Sequence, residues 1–389
     1  MVSAQEGFDS VGLVIIQPTP FCNINCSYCY LSTRAETRRI TLETIEAITK
    51  FLCDVPVSNP HLSIGWHAGE PLVVPLSFYE RALHCFAATP GMPEVRHSFQ
   101  TNATLIDDDW CDFFKRWSVQ VGVSIDGPQA IHDSQRVDRA GRGTFDRVMR
   151  GISKLQQYEV PFSVISVLTK ESLNAPDEIW RFYRANGIRS VAFNIDEEEG
   201  VHKESSLNPR EHLSAFRNFM SRIADLQERD PSIEVRELAS MRRALTVSPT
   251  AEVKKADNRP GAILNIDVDG NLTTFSPELL GQVHPRYGKF AWGNVHKDSW
   301  EQFSKNVQLQ HARADIRAGV ELCREQCQYF VVCGGGCPSN KLADHDTFVA
   351  TETTKCRFKI QTVADVVIER LERQIGVSPG RPVASRTVE

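Results

Sequence analysis

The residues of this chain best suited to chemistry are its cysteines. Three of the eleven sit near the start, in QPTPFCNINCSYCYL, as a C-x3-C-x2-C run of Cys22, Cys26 and Cys29. Three thiolates on one loop can hold three irons of a cubane [4Fe–4S] cluster. The fourth iron then stays open for a small molecule. Zinc is the competing occupant, but a structural zinc site normally has four N or S ligands. Near the other end, LCREQCQYFVVCGGGCPSN spaces Cys323, Cys327, Cys333 and Cys337 as C-x3-C-x5-C-x3-C, and Cys356 follows after eighteen residues. Cys53, Cys85 and Cys111 are scattered over predicted helices and read as small buried apolar residues. The count is odd, and the opening MVSAQEGFDS lacks the basic and apolar parts of a signal peptide. Both facts favour thiolate chemistry in a reducing, cytoplasmic setting over a disulfide framework.

The rest of the chain must position these groups. It has 389 residues, 41% hydrophobic and 24% charged, with a net charge of −5. That composition suits a globular protein with a real core and excludes a disordered or collagenous one. It offers no bulk phosphate-binding surface, so no nucleic-acid partner is expected. The early apolar run, 11–16, is far short of the ~20 residues of a membrane helix.

Strand-like runs occur at 11–19, 61–68, 95–101, 119–126, 161–168 and 190–196. Helix-like segments at 41–52, 107–117, 144–158 and 175–187 alternate with them, the first with Thr41 as cap. Alternation predicts right-handed parallel β-α units, and six of them fit a partial (β/α)6 TIM-like barrel with its active site at the C-terminal strand ends. A doubly wound open sheet shares the pattern. A helix at 209–230 completes a first domain, 11–230, behind a short tail, 1–10. A charged bridge spans 231–260. A second domain, 261–375, opens with a hairpin at 263–275 turning on Asp269-Gly270, then carries a short helix at 298–305, the second cysteine group and a final helix. The stretch 376–389 reads as a disordered tail.

The first cysteine loop, with an aromatic before its third cysteine and directly after the first strand, resembles the signature of radical S-adenosylmethionine (SAM) enzymes. Three further segments support the resemblance. WHAGEPL (66–72) is similar to the family's G-G-E-P segment, with Ala68 for its first glycine. QTNATL (100–105) is similar to Q-T-N-G, with Ala103 for glycine. VSIDGP (123–128), followed by HDSQR (132–136), resembles the element after the fourth strand. The resemblance implies that Cys22, Cys26 and Cys29 bind the SAM cluster and that Tyr28 flanks the adenine. Ala68, Gly69 and Glu70 would lie by the methionine moiety. Asn102, Ser124 and Arg136 would meet the ribose and carboxylate. It also implies reductive cleavage of SAM to a 5′-deoxyadenosyl radical, with flavodoxin or ferredoxin as electron donor. Asp126 reads as a turn former before Gly127-Pro128.

The second cysteine group resembles the SPASM extension of peptide- and protein-modifying radical SAM enzymes, and ILNIDVDGNLTTFSPELLG resembles its opening hairpin. The extension usually has seven cysteines and two auxiliary clusters. Here no cysteine lies between 112 and 322, and Phe275-Ser276-Pro277 stands where one usually follows the hairpin. The resemblance therefore implies one auxiliary [4Fe–4S] cluster on Cys323, Cys327, Cys333 and Cys356. Cys337 matches a lone ligand of the missing inner cluster, and is free or replaces Cys356. A structural zinc is the alternative.

Among activities of this class, anaerobic sulfatase maturation uses an Asp just after the hairpin cysteine as base, and both are absent here. QPTPFCNINCSYCYL, WHAGEPLVVP, and TFSPELLG with the later GNV (293–295) resemble the GrrM/OscB group of cyclophane-forming maturases. That implies a ribosomally made precursor peptide as substrate and an aryl-to-β-carbon bond closing a three-residue ring. Thioether formation or sulfatase maturation is the alternative. Candidate bases are Glu278 and the acids after the sixth strand, Asp196, Glu197, Glu198 and Glu199. The competing reading of that run is a solvated loop. His67 lies near the SAM segment and packs or caps in the alternative reading. About ten residues precede the first strand, so leader recognition is expected to use the barrel, the bridge or a separate partner.

Overall fold

The computed structural model describes residues 8–57, 61–246, 253 and 255–376. The strand runs condense into one ten-stranded, mostly parallel sheet. Its strands are β1 (Leu13–Ile16), β2 (His61–Trp66), β3 (Glu94–Thr101), β4 (Gln120–Ser124), β5 (Phe162–Leu168), β6 (Ser190–Ile195), β7 (Glu234–Val235), β8 (Ile263–Ile266), β9 (Asn271–Thr274) and β10 (Gly293–Asn294). Their spatial order is β10-β9-β8-β1-β2-β3-β4-β5-β6-β7. All six runs read from the sequence are present.

Period-two alternation sets the two faces. Val14, Ile16, Ile64, Trp66, Phe99, Val121, Val123, Val164 and Leu168 are buried in the core. The other face carries Ile15, Gln100, Gly122, Ser124, Val167 and Asn194, all partly accessible. Parallel register stacks equivalent C-terminal ends, with Ile16 beside Trp66 and Trp66 beside Phe99. The loops that follow these ends carry most of the candidate residues.

Helices form where caps and spacing demand. Thr41 caps Leu42–Leu52 by accepting from the Thr44 amide at 3.1 Å. Asp107 caps Asp108–Arg116, with Asp108 and Asp109 at the positive end of the dipole.

The structure adds to the sequence reading in three places. Within the bridge, the described residues supply β7 and the helix Arg236–Thr246. The hairpin is present and joins the main sheet, because β8 pairs in parallel with β1, Ile15 beside Asn265. The physical reason is that β1 would otherwise be an unpaired edge. The helices Leu76–Ala88, Gln129–Gln135, Val307–Gln326 and Pro338–His345 lie outside the segments read as helical. The tails fall largely outside the described residues, at 1–7 and 377–389. No helix among the described residues is long and apolar enough to cross a membrane.

Candidate functional site

The loop after β1 carries Cys22, Cys26 and Cys29, all half-buried. Two neighbours shape it. Ile24–Cys26 pairs antiparallel with Arg136–Asp138, setting Cys26 opposite Arg136. The turn after β2 closes on it from the other side, where the Glu70 amide donates to the Phe21 carbonyl at 2.8 Å. Gly69 makes that approach possible. Its φ is +67°, and a Cβ there would sit 2.2 Å from the Thr19 carbonyl oxygen.

The thiols lie near enough that Cys22 feels the charges of Cys26 and Cys29. Burial pushes Cys22 up to about 12, with Glu70 adding to it, and burial pushes Cys26 up to about 11. Two donors aim at the sulfurs: Asn102 Nδ2 at Cys22 Sγ, 3.8 Å, and Arg136 Nη1 at Cys26 Sγ, 3.9 Å. Soft donors with N–H groups aimed at them fit an iron–sulfur cluster. Among the described residues no three His, Cys, Asp or Glu side chains close on a single ion.

Asp126 corrects the sequence reading. It is not merely a turn former but the fully buried centre of a network. Arg136 donates to both its oxygens, at 3.0 and 3.1 Å, Tyr28 donates to Oδ2 at 2.5 Å, and the Val167 amide donates to Oδ1 at 2.9 Å. Sequence could not reveal this, because the partners come from three separate segments. Glu70 is likewise a brace. It accepts from Leu72 N, Thr101 Oγ1 and Asn102 N, and burial still raises it to about 7. Asn102 Nδ2 also reaches Asn23 Oδ1, at 2.8 Å, and Ser124 Oγ accepts from Gln100. Ala68 and Ala103 hold φ of +70° and +59°, at the two places where the resemblance has glycine. Burial lowers His67, at the end of β2, to about 4.

The second group gathers from three elements. Cys323 is in the last turn of Val307–Gln326, Cys327 follows that helix, Cys333 ends Phe330–Cys333, and Cys356 opens a π-helical turn, Cys356–Thr362. Cys327 feels the charges of Cys323, Cys333 and Cys356, so the four thiols are neighbours. Lys341 Nζ donates to Cys323 Sγ at 3.3 Å and Thr353 Oγ1 to Cys356 Sγ at 3.2 Å. Cys337 stands apart, against Ser276 Oγ at 3.5 Å and Ser339 Oγ at 3.2 Å. Of the scattered cysteines Cys111 is buried, whereas Cys53 is exposed, contrary to expectation. It falls at the C-cap of its helix rather than on the inner face.

Between the two groups lies a half-buried set of carboxylates. Tyr30, next to Cys29, feels both Glu278 and Glu199. Asn340 Nδ2 bridges Glu197 (2.7 Å) and Glu199 (3.0 Å), and Lys355 pairs with Glu197 at 3.0 Å. Burial, then the charges of Glu197 and Glu278, hold Glu199 well above the carboxylate range. Burial raises Glu278 too, against Lys355. The acidic run is therefore not a solvated loop; only Glu198 is exposed. Asp196 faces elsewhere. It is buried, meets His202 Nε2 at 2.7 Å and accepts from the Ser206 amide, bracing the loop after β6. Ser27, Cys29, Arg34 and residues 201–204 line an open cleft of about 410 Å³ beside the first cysteine loop.

Residues 16–183 match the model of the Radical SAM superfamily, so this segment is a radical SAM domain. An uncharacterised protein of Synechocystis, sll1766, is 42% identical over 380 residues, covering 95% of this chain and 94% of its own. A serine-type anaerobic sulfatase-maturating enzyme of Bacteroides thetaiotaomicron is 24% identical over 359 residues, covering 85% and 83%. In fold the chain is similar to anSMEcpe with bound AdoMet (TM-score 0.77, 20% identity, 95% of this chain and 96% of that one). It is also similar to Streptococcus suis SuiB bound to its precursor peptide SuiA (TM-score 0.63, 15% identity, 90% and 76%). The superfamily implies a [4Fe–4S] cluster and AdoMet.

Proposed function

We propose that this chain modifies a ribosomally made precursor peptide, joining an aromatic ring to the β-carbon of a nearby residue to close a three-residue cyclophane. The observation that carries this reading is the half-buried Glu199–Glu278 set between the two cysteine groups. An aryl crosslink must release a ring proton, and a carboxylate raised by burial is suited to receive it. The sequence resemblance to cyclophane-forming maturases supports the type of bond. The peptide-bound SuiB neighbour supports a peptide substrate.

In this reading Cys22, Cys26 and Cys29 hold the cluster that binds SAM, and Cys323, Cys327, Cys333 and Cys356 hold one auxiliary [4Fe–4S] cluster. When bound, these groups supply reductive SAM cleavage, hydrogen-atom abstraction from the peptide and a place for the departing electron. The chain's own residues do the rest. Gly69 and Glu70 clamp the SAM segment to the cysteine loop. Arg136, held by Asp126, keeps a positive charge beside Cys26. Glu278 or Glu199 takes the ring proton, while Lys355 pairs with Glu197. Asp196 positions the loop that carries Glu197 and Glu199. A flavodoxin or ferredoxin supplies the electron.

Sulfatase maturation is the second reading, favoured by the maturase relatives and opposed by Ser276-Pro277 at the place of the Cys and Asp.

The deciding experiment is anaerobic co-expression with the short reading frame encoded beside the enzyme, using ring-deuterated aromatic residues, followed by tandem mass spectrometry. Loss of one ring deuterium and one aliphatic hydrogen, with no fragmentation inside a three-residue window, is the expected result. Loss of two hydrogens with every ring deuterium kept would overturn the cyclophane and leave thioether or alcohol oxidation.

A further inference from the structure

Lys341 is a charged side chain in an unusual place. It lies on the helix Pro338–His345 and is 2% exposed. Its ammonium donates to the Gly319 carbonyl at 2.7 Å and to Cys323 Sγ at 3.3 Å. Among the described residues no carboxylate pairs with it. Two other lysines near these cysteines differ, since Lys255 is matched by Asp257 at 3.6 Å and Lys355 by Glu197 at 3.0 Å. The stem runs beside the thiols as well, because a Cβ on Gly336 would meet Lys341 Cε at 3.7 Å and Cys356 Sγ at 3.8 Å.

A buried ammonium without a counter-ion is strongly unfavourable. A four-thiolate iron–sulfur cluster supplies that counter-ion, since it is net negative, and more so by one charge when reduced. Hydrogen bonds to the sulfurs and net local charge set the potential of such a cluster. A cation fixed against one sulfur stabilises the reduced form more than the oxidised one.

We propose that Lys341 is a positioning residue for electron transfer: its buried charge at Cys323 raises the reduction potential of the auxiliary cluster. This suits that cluster to accept the electron released when the crosslink forms. The proposal rests on reading Cys323, Cys327, Cys333 and Cys356 as cluster ligands.

The test uses full-length enzyme carrying Cys22→Ala, Cys26→Ala and Cys29→Ala, so that only the second cluster remains. After anaerobic reconstitution, iron and sulfide are counted first. Absence of a cluster at that stage refutes the cysteine assignment, and the proposal falls with it. With a cluster present, its one-electron reduction by dithionite is followed by electron paramagnetic resonance through a mediated titration. Lys341→Met and Lys341→Gln lower the midpoint by about tenfold in the reduction equilibrium constant, or about 59 mV for a one-electron couple. Lys341→Arg keeps the charge and stays near the parent. One midpoint shared by all four proteins overturns the proposal. If only the parent and Lys341→Arg retain iron, the charge holds the cluster in place rather than setting its potential, and the proposal is overturned. If Lys341→Arg loses the cluster with the others, Lys341 is a packing residue and the proposal is wrong.

Discussion

Glu278 and Glu199 differ from ordinary surface carboxylates because desolvation, then neighbouring carboxylates (Glu197 and Glu278 at Glu199, Glu197 and Asp257 at Glu278), favours their neutral forms. Once ionised, a group of that kind binds a proton more tightly than a surface carboxylate does. Glu278→Gln or Glu199→Gln is expected to leave SAM cleavage in place and to slow crosslinked-peptide formation by about 10²-fold or more, the usual range for losing a general base. Equal loss of both rates would instead indicate damage to the cysteine loop. Ala68 makes a second prediction. A non-glycine residue at φ of +70° is strained by about 1 kcal/mol. Ala68→Gly should therefore raise the unfolding free energy by about that amount in anaerobic denaturant titration. An unchanged or lower value would show that its side-chain contacts outweigh the strain.

Elements place these residues by close approach. The turn after β2 can meet the cysteine loop only because position 69 lacks a Cβ. Gly69→Ala would push one atom into the Thr19 and Phe21 carbonyls, at 2.2 and 2.7 Å. The expected outcome is loss of iron from the first site with the second site still loaded, read by iron content and electron paramagnetic resonance. Full iron content would show that the two loops can separate harmlessly. The helix Val307–Gln326 shows how an element can be legible and still pass unnoticed. Its buried residues, Leu309, Ala312, Ile316, Gly319 and Cys323, keep 3-4 spacing. Three of them are too small to stand out as apolar.

Buried histidines tie the whole molecule to pH. Burial lowers His97 to about 4, and burial with the nearby Arg136 charge lowers His132 to about 4, both from 6.5. His97 Nδ1 accepts from Trp66, and His132 Nδ1 from the Asp126 amide. The folded state binds the proton less readily than the unfolded state. The stability these groups contribute is therefore full above pH 6.5 and is lost as pH falls toward 4. At pH 5 the loss is about 2 kcal/mol for each. His97→Gln should flatten the change in stability between pH 7 and pH 5 by that amount, measured by anaerobic urea titration. Parallel curves for the variant and the natural protein would show that His97 titrates normally.

Local pattern alone determined the six strands, the capped helices, the hairpin and both cysteine groups, because hydrophobic period, cap chemistry and thiol spacing are properties of neighbouring residues. Tertiary structure decided the remainder. It joined β8 to β1, turned Glu197 and Glu199 inward while leaving Glu198 in solvent, made Asp126 the partner of Tyr28 and Arg136, and set Lys341 against Cys323. Each of these depends on which distant segments share a buried space. There, desolvation makes an unpaired charge too unfavourable to leave alone, and no spacing along the chain encodes the partner that answers it.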